Sequence, residues 1–190
     1  MISAALMAGG KSARMGRDKC LIKIKGTPLW QRQLDLLLTV SPEVFVVAPG
    51  RPDWLPNHMS WIPDAVRDQG PLGGLAAVLA QAADNNVLVL AVDMPAIPGT
   101  FLKKIVVMAA QGSGIVPQIG ESYEPLCAIY PREALPIVRD QLFVQKDNSL
   151  QALVRRLIQH GLIRSFCVSA EETGFFRNLN LPSDSIDELD

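Results

Sequence analysis

Short apolar runs alternate with longer stretches of helical periodicity along this chain. The runs are partly β-branched and end at glycine, proline or polar residues, which is typical of strands buried on both faces of a sheet. Their alternation with helices predicts an α/β fold of three layers, α/β/α, in which helices cover both faces of a mostly parallel sheet. The predicted strands are Ile2–Ala8, Val44–Ala48, Val87–Val92, Gly114–Pro117 and Ser165–Val168.

Apolar residues recur at helical spacing in four segments. In the first, Thr27 is predicted as the N-cap and Pro28 as the first residue of a helix that ends near Leu38. In the last, Asn148 is predicted as the N-cap and Gly161 as the glycine that ends the helix. The two helices predicted between them cover residues 73–85 and 100–110.

The segment from Pro49 to Pro63 is rich in proline and contains Trp54 and Trp61. It is interpreted as a connection between elements rather than a linker between domains. The two tryptophans are predicted to pack against the protein rather than to stack on bases. A chain of 190 residues has the length of one α/β domain, so a single domain over residues 1–190 is predicted.

Composition and charge limit the classes of partner. Hydrophobic residues make up 48% of the chain and charged residues 19%, which is too apolar for a disordered protein. The formal net charge of -1 does not provide the broad basic surface that binds nucleic acid. No apolar run approaches the roughly 18 residues of a membrane span, and Ile2–Ala8 lacks the basic flank of a signal peptide. We therefore expect a small-molecule partner, with neither nucleic acid nor membrane.

Cysteine and histidine provide no recognisable catalytic or metal-binding pattern. Cys20, Cys127 and Cys167 show none of the short spacings of a zinc site or a disulfide framework. They are interpreted as small buried thiols in a reducing compartment, which predicts a cytoplasmic protein. His58 and His160 are the only histidines and lie far apart in the sequence, so a histidine-based triad is not expected.

The most informative segment is Met7–Lys19, which follows the first predicted strand. Gly9 and Gly10 let backbone N–H groups approach oxyanions, and nearby cations neutralise charge that the amides alone offset only in part. The segment therefore favours the binding of a polyphosphate, with a solvated surface turn as the alternative. The cations are Lys11, Arg14 and Lys19.

Two better-known phosphate-binding patterns do not fit this segment. A Walker A loop requires a glycine five residues before Gly10, and that position holds Ala5. A dinucleotide-binding turn requires glycines at its first, third and sixth positions, whereas Gly9 and Gly10 are adjacent and the next glycine is Gly16. The rest of the chain must therefore support the interpretation.

Asp93 directly follows the buried run Val87–Val92. Ligands of open α/β sheets bind at the carboxyl ends of the strands, so Asp93 and Met7–Lys19 are expected to face one crevice. An aspartate at this position is suited either to metal binding or to helix capping.

A second glycine-rich turn, with Gly70 and Gly73, leads into a predicted helix whose N-terminal amides can contact a nucleoside.

Five motifs, in this order, resemble the molybdenum cofactor guanylyltransferases, and the resemblance spans essentially the whole chain. It implies transfer of GMP from GTP to the terminal phosphate of molybdopterin-bound molybdenum cofactor, with release of pyrophosphate. The acceptor phosphate is then the nucleophile, which explains the missing triad, because in-line displacement at phosphorus needs positioning and charge neutralisation. The motifs are Met7–Lys19, Gly70–Gly74, Asp93–Pro95, Glu124–Tyr130 and Asn178–Asn180.

The same resemblance implies a Rossmann-like sheet of the nucleotidyltransferase (glycosyltransferase-A-like) type. It implies Mg2+ as the cofactor, and GTP and a molybdopterin-type cofactor as the substrates. Molybdenum-insertion proteins and molybdoenzyme chaperones are the implied protein partners.

Individual roles follow where the residues match the family's motifs. Lys19 binds the phosphates with help from Arg14, and both are implied to be catalytic. Asp93 is the implied magnesium ligand and the third catalytic residue. Asn180 offers a carboxamide oxygen and is the candidate second metal ligand, and Asp64 is implied to contact the nucleoside. The residues of the two glycine turns that are implied to contact the nucleotide are Met7, Ala8, Gly9, Gly10, Gly70 and Gly73.

The chain departs from the family's usual sequence at several positions. Met7 replaces the usual Leu, Gly73 replaces the usual Ala, and Leu181–Asp184 differs from the usual C-terminal motif. The Asn expected near Pro49 and Gly50 is absent. None of these changes removes a charged group.

Two other functions stay open. A cytidylyltransferase shares the glycine loop, Lys19 and Asp93, although the Ala-Gly-Gly sequence of Ala8–Gly10 favours guanine. A nucleotide-binding adaptor without catalysis is the other alternative, and the retained metal-binding Asp93 argues against it. Glu124 is assigned no catalytic role.

Overall fold

The structure is a computed structural model that describes residues 1–9, 18–63, 70–109, 113–177 and 179. Strands and helices alternate along most of these residues. The strands are β1 (Ser3–Met7), β2 (Lys23–Ile24), β3 (Thr27–Pro28), β4 (Val44–Ala48), β5 (Ser60–Pro63), β6 (Asn86–Ala91), β7 (Gly114–Ile119), β8 (Ser122–Tyr123), β9 (Cys127–Pro131) and β10 (Ile163–Cys167). The helices are α1 (Leu29–Leu38), α2 (Pro71–Gln81), α3 (Gly99–Ala109), α4 (Leu135–Asp140) and α5 (Leu150–Gln159).

The main sheet is mostly parallel, which confirms the predicted fold class. Its strands follow one another in the order β10, β7, β9, β6, β1, β4 and β5, and β8 pairs with β7. β1 lies parallel between β4 and β6, whereas β9 is antiparallel to β6 and β7. Met7, at the end of β1, pairs with Ala91 at the end of β6. The segments that follow these two strands therefore start side by side at one edge of the sheet.

Helices cover both faces of this sheet. Leu6 and Leu90 belong to a core shared with α1 and α3, whereas Ala5 and Val89 belong to a second core shared with α2, α4 and α5. Adjacent residues of the central strands are thus buried on opposite faces, which is why these strands are apolar at consecutive positions. No helix among the described residues combines the length and apolar character needed to cross a bilayer.

Two of the predicted helix starts are wrong. Thr27–Pro28 pairs with Lys23–Ile24 as an antiparallel hairpin, so α1 begins at Leu29 without a side-chain cap. α5 is capped by Ser149 rather than by Asn148, because the Ser149 hydroxyl accepts the Ala152 backbone N–H at 3.2 Å. Asn and Ser cap helices about equally well, so the local sequence does not distinguish them.

The predicted strands did not include β5, β8 or β9, and the predicted helices did not include α4. β5 lies at the edge of the sheet inside the segment that was expected only to connect elements, and only Ile62 of its residues is buried. An edge strand tolerates a terminal proline such as Pro63 because its backbone needs fewer hydrogen-bonding partners. The predicted helix 73–85 also differs, since α2 begins two residues earlier and ends at Gln81.

The cysteines and tryptophans were predicted mainly as packing residues. Cys20 and Cys127 are buried, but the prediction is wrong for Cys167, which is exposed at the end of the edge strand β10. Trp54 stacks on another indole ring, and Trp61 Nε1 donates to a backbone carbonyl at the end of β4. Packing of both tryptophans is thus confirmed.

Gly114 allows β7 to lie very close to its neighbours. A Cβ at this position would lie 2.5 Å from the Ile129 carbonyl oxygen and 2.6 Å from Ile163 Cγ2. The carbonyl belongs to the sheet backbone, so relief of this contact requires the strands to shift. We expect Gly114→Ala to lower the free energy of unfolding by about 2 kcal/mol, the scale of overpacking in a core, as measured by chemical denaturation.

Gly174→Ala is the matched control for this prediction. A Cβ at Gly174 would meet no atom within 4 Å, and its backbone does not have a positive φ. We expect its free energy of unfolding to change by less than about 0.5 kcal/mol. An equal loss in both variants would contradict the steric explanation for Gly114.

Candidate active site

A cavity of about 470 Å³ opens where β1, β4 and β6 end. Its walls include Ala8 and Gly9 after β1, Pro49 after β4 and Asp93 after β6, together with Lys19. The volume lies within the range of about 300–1,000 Å³ that is usual for small-molecule sites. The position at the carboxyl edge of parallel strands is the one that α/β sheets use for ligands.

Backbone hydrogen bonds hold the end of β1 on both sides. The Ala8 N–H donates to the Val47 carbonyl at 2.9 Å, and the Val92 N–H donates to the Met7 carbonyl at 3.2 Å. Met7 is buried and borders the cavity, and Ala8 is half-buried at its wall. The first part of the glycine-rich segment therefore rests on a rigid support.

Two glycines bring backbone close to the cavity. A Cβ at Gly9 would lie 3.1 Å from Pro49 Cδ, so a side chain there would have to displace the proline ring. Beside it, a smaller cavity of about 30 Å³ is bordered by Gly9, Gly70 and Pro71. Gly70 has a φ of 62°, which favours glycine, and Pro71 is the first residue of α2. The N-terminus of α2 therefore borders the site.

Gly73 is the third residue of α2. It is buried, and its backbone N–H donates to the Gly70 carbonyl at 3.2 Å. Gly73 does not line either cavity, so its contact with a nucleoside stays a prediction. Gly74 instead lets α2 approach the sheet, since a Cβ there would lie 2.6 Å from Met7 Cε and 2.8 Å from Val47 Cγ1.

Lys19 and Asp93 face each other at the cavity. Lys19 Nζ lies 3.3 Å from Asp93 Oδ2, and the two side chains are 21% and 28% exposed. Lys19 is the first residue of a one-turn 3₁₀ helix, Lys19–Leu21. Asp93 lies two residues beyond the end of β6. The two motifs thus meet in one crevice, as the sequence predicted, although 74 residues separate these two positions.

The backbone around Asp93 is held from two directions. Gln33 Nε2, on α1, donates to the carbonyl of Met94 at 2.5 Å. The Leu179 backbone N–H donates to the Asp93 carbonyl at 2.9 Å, and Leu179 is buried. Leu179 directly precedes Asn180 in the sequence, and Asn180 itself lies outside the described residues. These bonds limit the movement of the backbone that carries the Asp93 side chain.

Several predicted site residues lie outside the described residues, and their roles stay predictions. These residues are Gly10, Lys11, Arg14, Asp64 and Asn180.

Asp93 provides a single carboxylate for a metal ion. Among the described residues, no group of three or more His, Cys, Asp or Glu side chains is arranged to hold one. Mg2+ in enzymes that act on nucleotides is usually held by one or two carboxylates together with phosphate oxygens of the substrate. The hard oxygen donor of Asp93, partly open to the cavity, therefore fits a divalent cation that binds together with a triphosphate.

Cys20 also borders the cavity but is unsuited to covalent catalysis. Burial and, to a smaller extent, the charge of Asp18 raise the pKa of its thiol, and Sγ lies 3.7 Å from the Ala8 carbonyl oxygen. It therefore stays a neutral thiol rather than a nucleophilic thiolate. Burial likewise raises the pKa of Glu124, whose motif contributes Leu126 to the cavity wall.

Asp18 and Trp54 are among the residues of the cavity wall that the sequence analysis did not propose as site residues. Trp54 Nε1 donates to Asp18 Oδ2 at 3.1 Å. The position of Asp18 directly before Lys19 was a signal that could have identified it. No comparable signal exists for Trp54, because its contact with Asp18 spans 36 residues of sequence.

Residues 4–161 match the sequence model of the MobA-like NTP transferase domain. The chain belongs to this family. It is 33% identical to a probable molybdenum cofactor guanylyltransferase of Opitutus terrae, over 96% of this chain and 92% of that protein. It is 32% identical to a molybdenum cofactor guanylyltransferase of Xanthomonas euvesicatoria pv. vesicatoria, over 95% of this chain and 90% of that protein.

A solved structure has a similar fold. Molybdopterin-guanine dinucleotide biosynthesis protein A from Archaeoglobus fulgidus superposes with a TM-score of 0.75 at 21% identity, over 100% of this chain and 96% of that chain. Membership of this family confirms the resemblance found in the sequence and the assignment of the chain as a nucleotidyltransferase enzyme.

Proposed function

We propose that this chain transfers GMP from GTP to the terminal phosphate of a molybdopterin-type cofactor, with release of pyrophosphate. The observation that carries the proposal is the placement of Lys19 and Asp93 3.3 Å apart at one cavity. The names of relatives that match 95% or more of the chain support guanine as the base and molybdenum cofactor as the acceptor.

The bonds that change define what the protein must supply. An oxygen of the acceptor phosphate forms a bond to the α-phosphorus of GTP, and the bond from that phosphorus to its bridging oxygen breaks. The electron pair leaves with pyrophosphate. Such a displacement requires alignment of the two reactants and neutralisation of charge rather than a protein nucleophile, which agrees with the neutral thiol of Cys20.

Lys19 and a divalent cation held by Asp93 would share the neutralisation of charge. Lys19 binds the phosphates of GTP and stabilises the charge that develops on the departing pyrophosphate. Asp93 holds Mg2+, with Asn180 as the proposed second ligand. When bound, the ion would supply the positive charge that neutralises the phosphates. Before the nucleotide binds, the Lys19–Asp93 ion pair keeps both charges compensated at the partly buried site.

The nucleoside end of GTP lies on the glycine turns. Met7, Ala8 and Gly9 form one side of the cradle, and the N-terminus of α2 with Gly70 forms the other. Helix N-termini present unpaired N–H groups that bind anions and carbonyl oxygens. Gly10, Gly73 and Asp64 are proposed as further contacts of the nucleotide, and Arg14 is proposed to assist Lys19. We further propose that the chain acts as one domain in the cytoplasm.

Pyrophosphate release tests this function directly. Each of the four nucleoside triphosphates is offered with Mg2+, with and without molybdenum cofactor, and pyrophosphate is measured. We expect release with GTP only, and only when the cofactor is present, because the cofactor's phosphate is the nucleophile.

The other results have separate meanings. Release with CTP instead of GTP would identify a cytidylyltransferase. Binding of GTP without pyrophosphate release under any condition would contradict transfer and favour the adaptor. Removal of Mg2+ by a chelator is expected to abolish release, because the Asp93 carboxylate is itself an anion and without the cation it repels the phosphates.

A further inference from the structure

Lys19 lies next to a connected group of three side chains, Trp30, Trp54 and Asp18. The Trp30 and Trp54 rings are stacked with centroids 5.0 Å apart and planes inclined by 17°. Trp54 Nε1 donates to Asp18 Oδ2 at 3.1 Å. The group therefore links the start of α1, the connection after β4 and the residue that precedes Lys19.

The Asp18 carboxylate holds the turn that carries Lys19. Its second oxygen, Oδ1, accepts the Cys20 backbone N–H at 3.0 Å, and its backbone carbonyl accepts the Leu21 N–H at 3.0 Å. Cys20 is itself buried. Lys19 thus lies between two residues that these hydrogen bonds hold in place.

Trp54, which also lines the cavity, donates its indole N–H to that carboxylate. One face of its ring is covered by Trp30, and the neighbouring Leu55 is buried in the core. The connection is further held by Arg51, whose Nη2 donates to the Pro56 carbonyl at 2.9 Å. The indole N–H is therefore a donor on a supported segment, and a carboxylate bonded through both oxygens has little freedom to rotate.

We infer that Trp54 and Asp18 are positioning residues that orient Lys19 toward the phosphates. The inference rests on the proposed binding of phosphates by Lys19. A lysine side chain has four rotatable bonds, so a fixed backbone beneath it lowers the entropy lost when the ammonium binds a ligand. Neighbours that orient a binding group commonly contribute about 10-fold or more to its action.

The first test removes only the indole N–H. Trp54→Phe keeps an aromatic ring against Trp30 and loses the donor to Asp18. We expect the Kd for Mg-GTP, measured by titration calorimetry, to rise about 10-fold, and the Kd for Mg-tripolyphosphate to rise by the same factor. Equal factors are expected because both ligands engage Lys19 through phosphates alone.

Trp61→Phe is the matched control. Trp61 Nε1 also donates one hydrogen bond, to the Ala48 carbonyl at 3.2 Å, but it is not linked to Asp18. We expect its Kd values to stay within about twofold of the unmodified protein. Weaker GTP binding with unchanged tripolyphosphate binding in Trp54→Phe would show that Trp54 contacts the nucleoside, which would overturn the inference.

A double-mutant cycle separates positioning from general support of the fold. If Trp54 acts through Lys19, Trp54→Phe changes the Kd for Mg-GTP by less than about twofold in a Lys19→Ala background. Asp18→Asn, which removes the acceptor charge but keeps the size of the side chain, is expected to behave in the same way. A 10-fold effect of Trp54→Phe in both backgrounds would overturn the inference.

The proposed function and the positioning role fail in different ways. If Lys19→Ala itself leaves the Kd unchanged, the proposed role of Lys19 is wrong, and the positioning role is overturned with it. If Lys19→Ala weakens binding and Trp54→Phe does not, only the positioning role is wrong. The thermal midpoint of each variant shows whether its fold is intact.

Discussion

Asp93→Ala is expected to lower the rate of GTP-dependent pyrophosphate release by about two orders of magnitude or more, the scale observed when a preorganised group that stabilises transition-state charge is lost. The Asp93 carboxylate lines the cavity, and its Oδ2 lies 3.3 Å from Lys19 Nζ. Without it, the divalent cation loses the carboxylate among its two proposed protein ligands. Steady-state rates at saturating Mg2+ measure the effect.

The fold of this variant should stay intact. The contacts that hold this part of the chain use the backbone carbonyls of Asp93 and Met94, which the substitution preserves. Asp35→Ala is the control. Asp35 is exposed on α1 and does not line this cavity, so the substitution removes the same charge at a distance from the site. Undiminished magnesium-dependent activity in Asp93→Ala would refute its assignment as the metal ligand.

Lys19→Ala is expected to weaken the binding of GTP by about 10- to 100-fold. Charge-assisted hydrogen bonds to phosphate contribute about 1.5–3 kcal/mol each, and every 1.4 kcal/mol corresponds to a factor of ten. The variant also leaves Asp93 without the ammonium that lies 3.3 Å away. Titration calorimetry with Mg-GTP measures the change in Kd.

Lys23→Ala provides the matched control for this charge change. Lys23 is exposed on β2, four positions further along the chain, and does not line the cavity. Its Kd for GTP should stay within about twofold of the unmodified protein. Equal weakening in both variants would indicate a general effect of net charge rather than a contact made by Lys19.

The local sequence was sufficient for the central strands. β1, β4 and β6 are apolar at consecutive positions because they are buried on both faces, and this pattern does not depend on their neighbours. The position of Asp93 after β6 followed from the same pattern. Because parallel strands end at one edge, its approach to the segment after β1 was also predictable.

The antiparallel strand β9 was not predictable in the same way. Its residues Cys127–Pro131 are all buried between β6 and β7, but the run is short and contains no turn signal that specifies direction. The helix starts at Leu29 and Ser149 were missed for a similar reason. In each case two local arrangements are nearly equal in free energy, and contacts from distant residues select one of them.

The spacing of apolar residues in the sequence already defined the α/β class and the strands that end at the site. The residue types in the family motifs defined the charges that the site requires. These properties depend on residues close together in the chain. The Lys19–Asp93 distance and the contact of Trp54 with Asp18 depend instead on packing between segments that are far apart in sequence. Contacts between such distant segments form only when the chain buries both faces of the sheet at the same time. No single segment of the sequence encodes that condition.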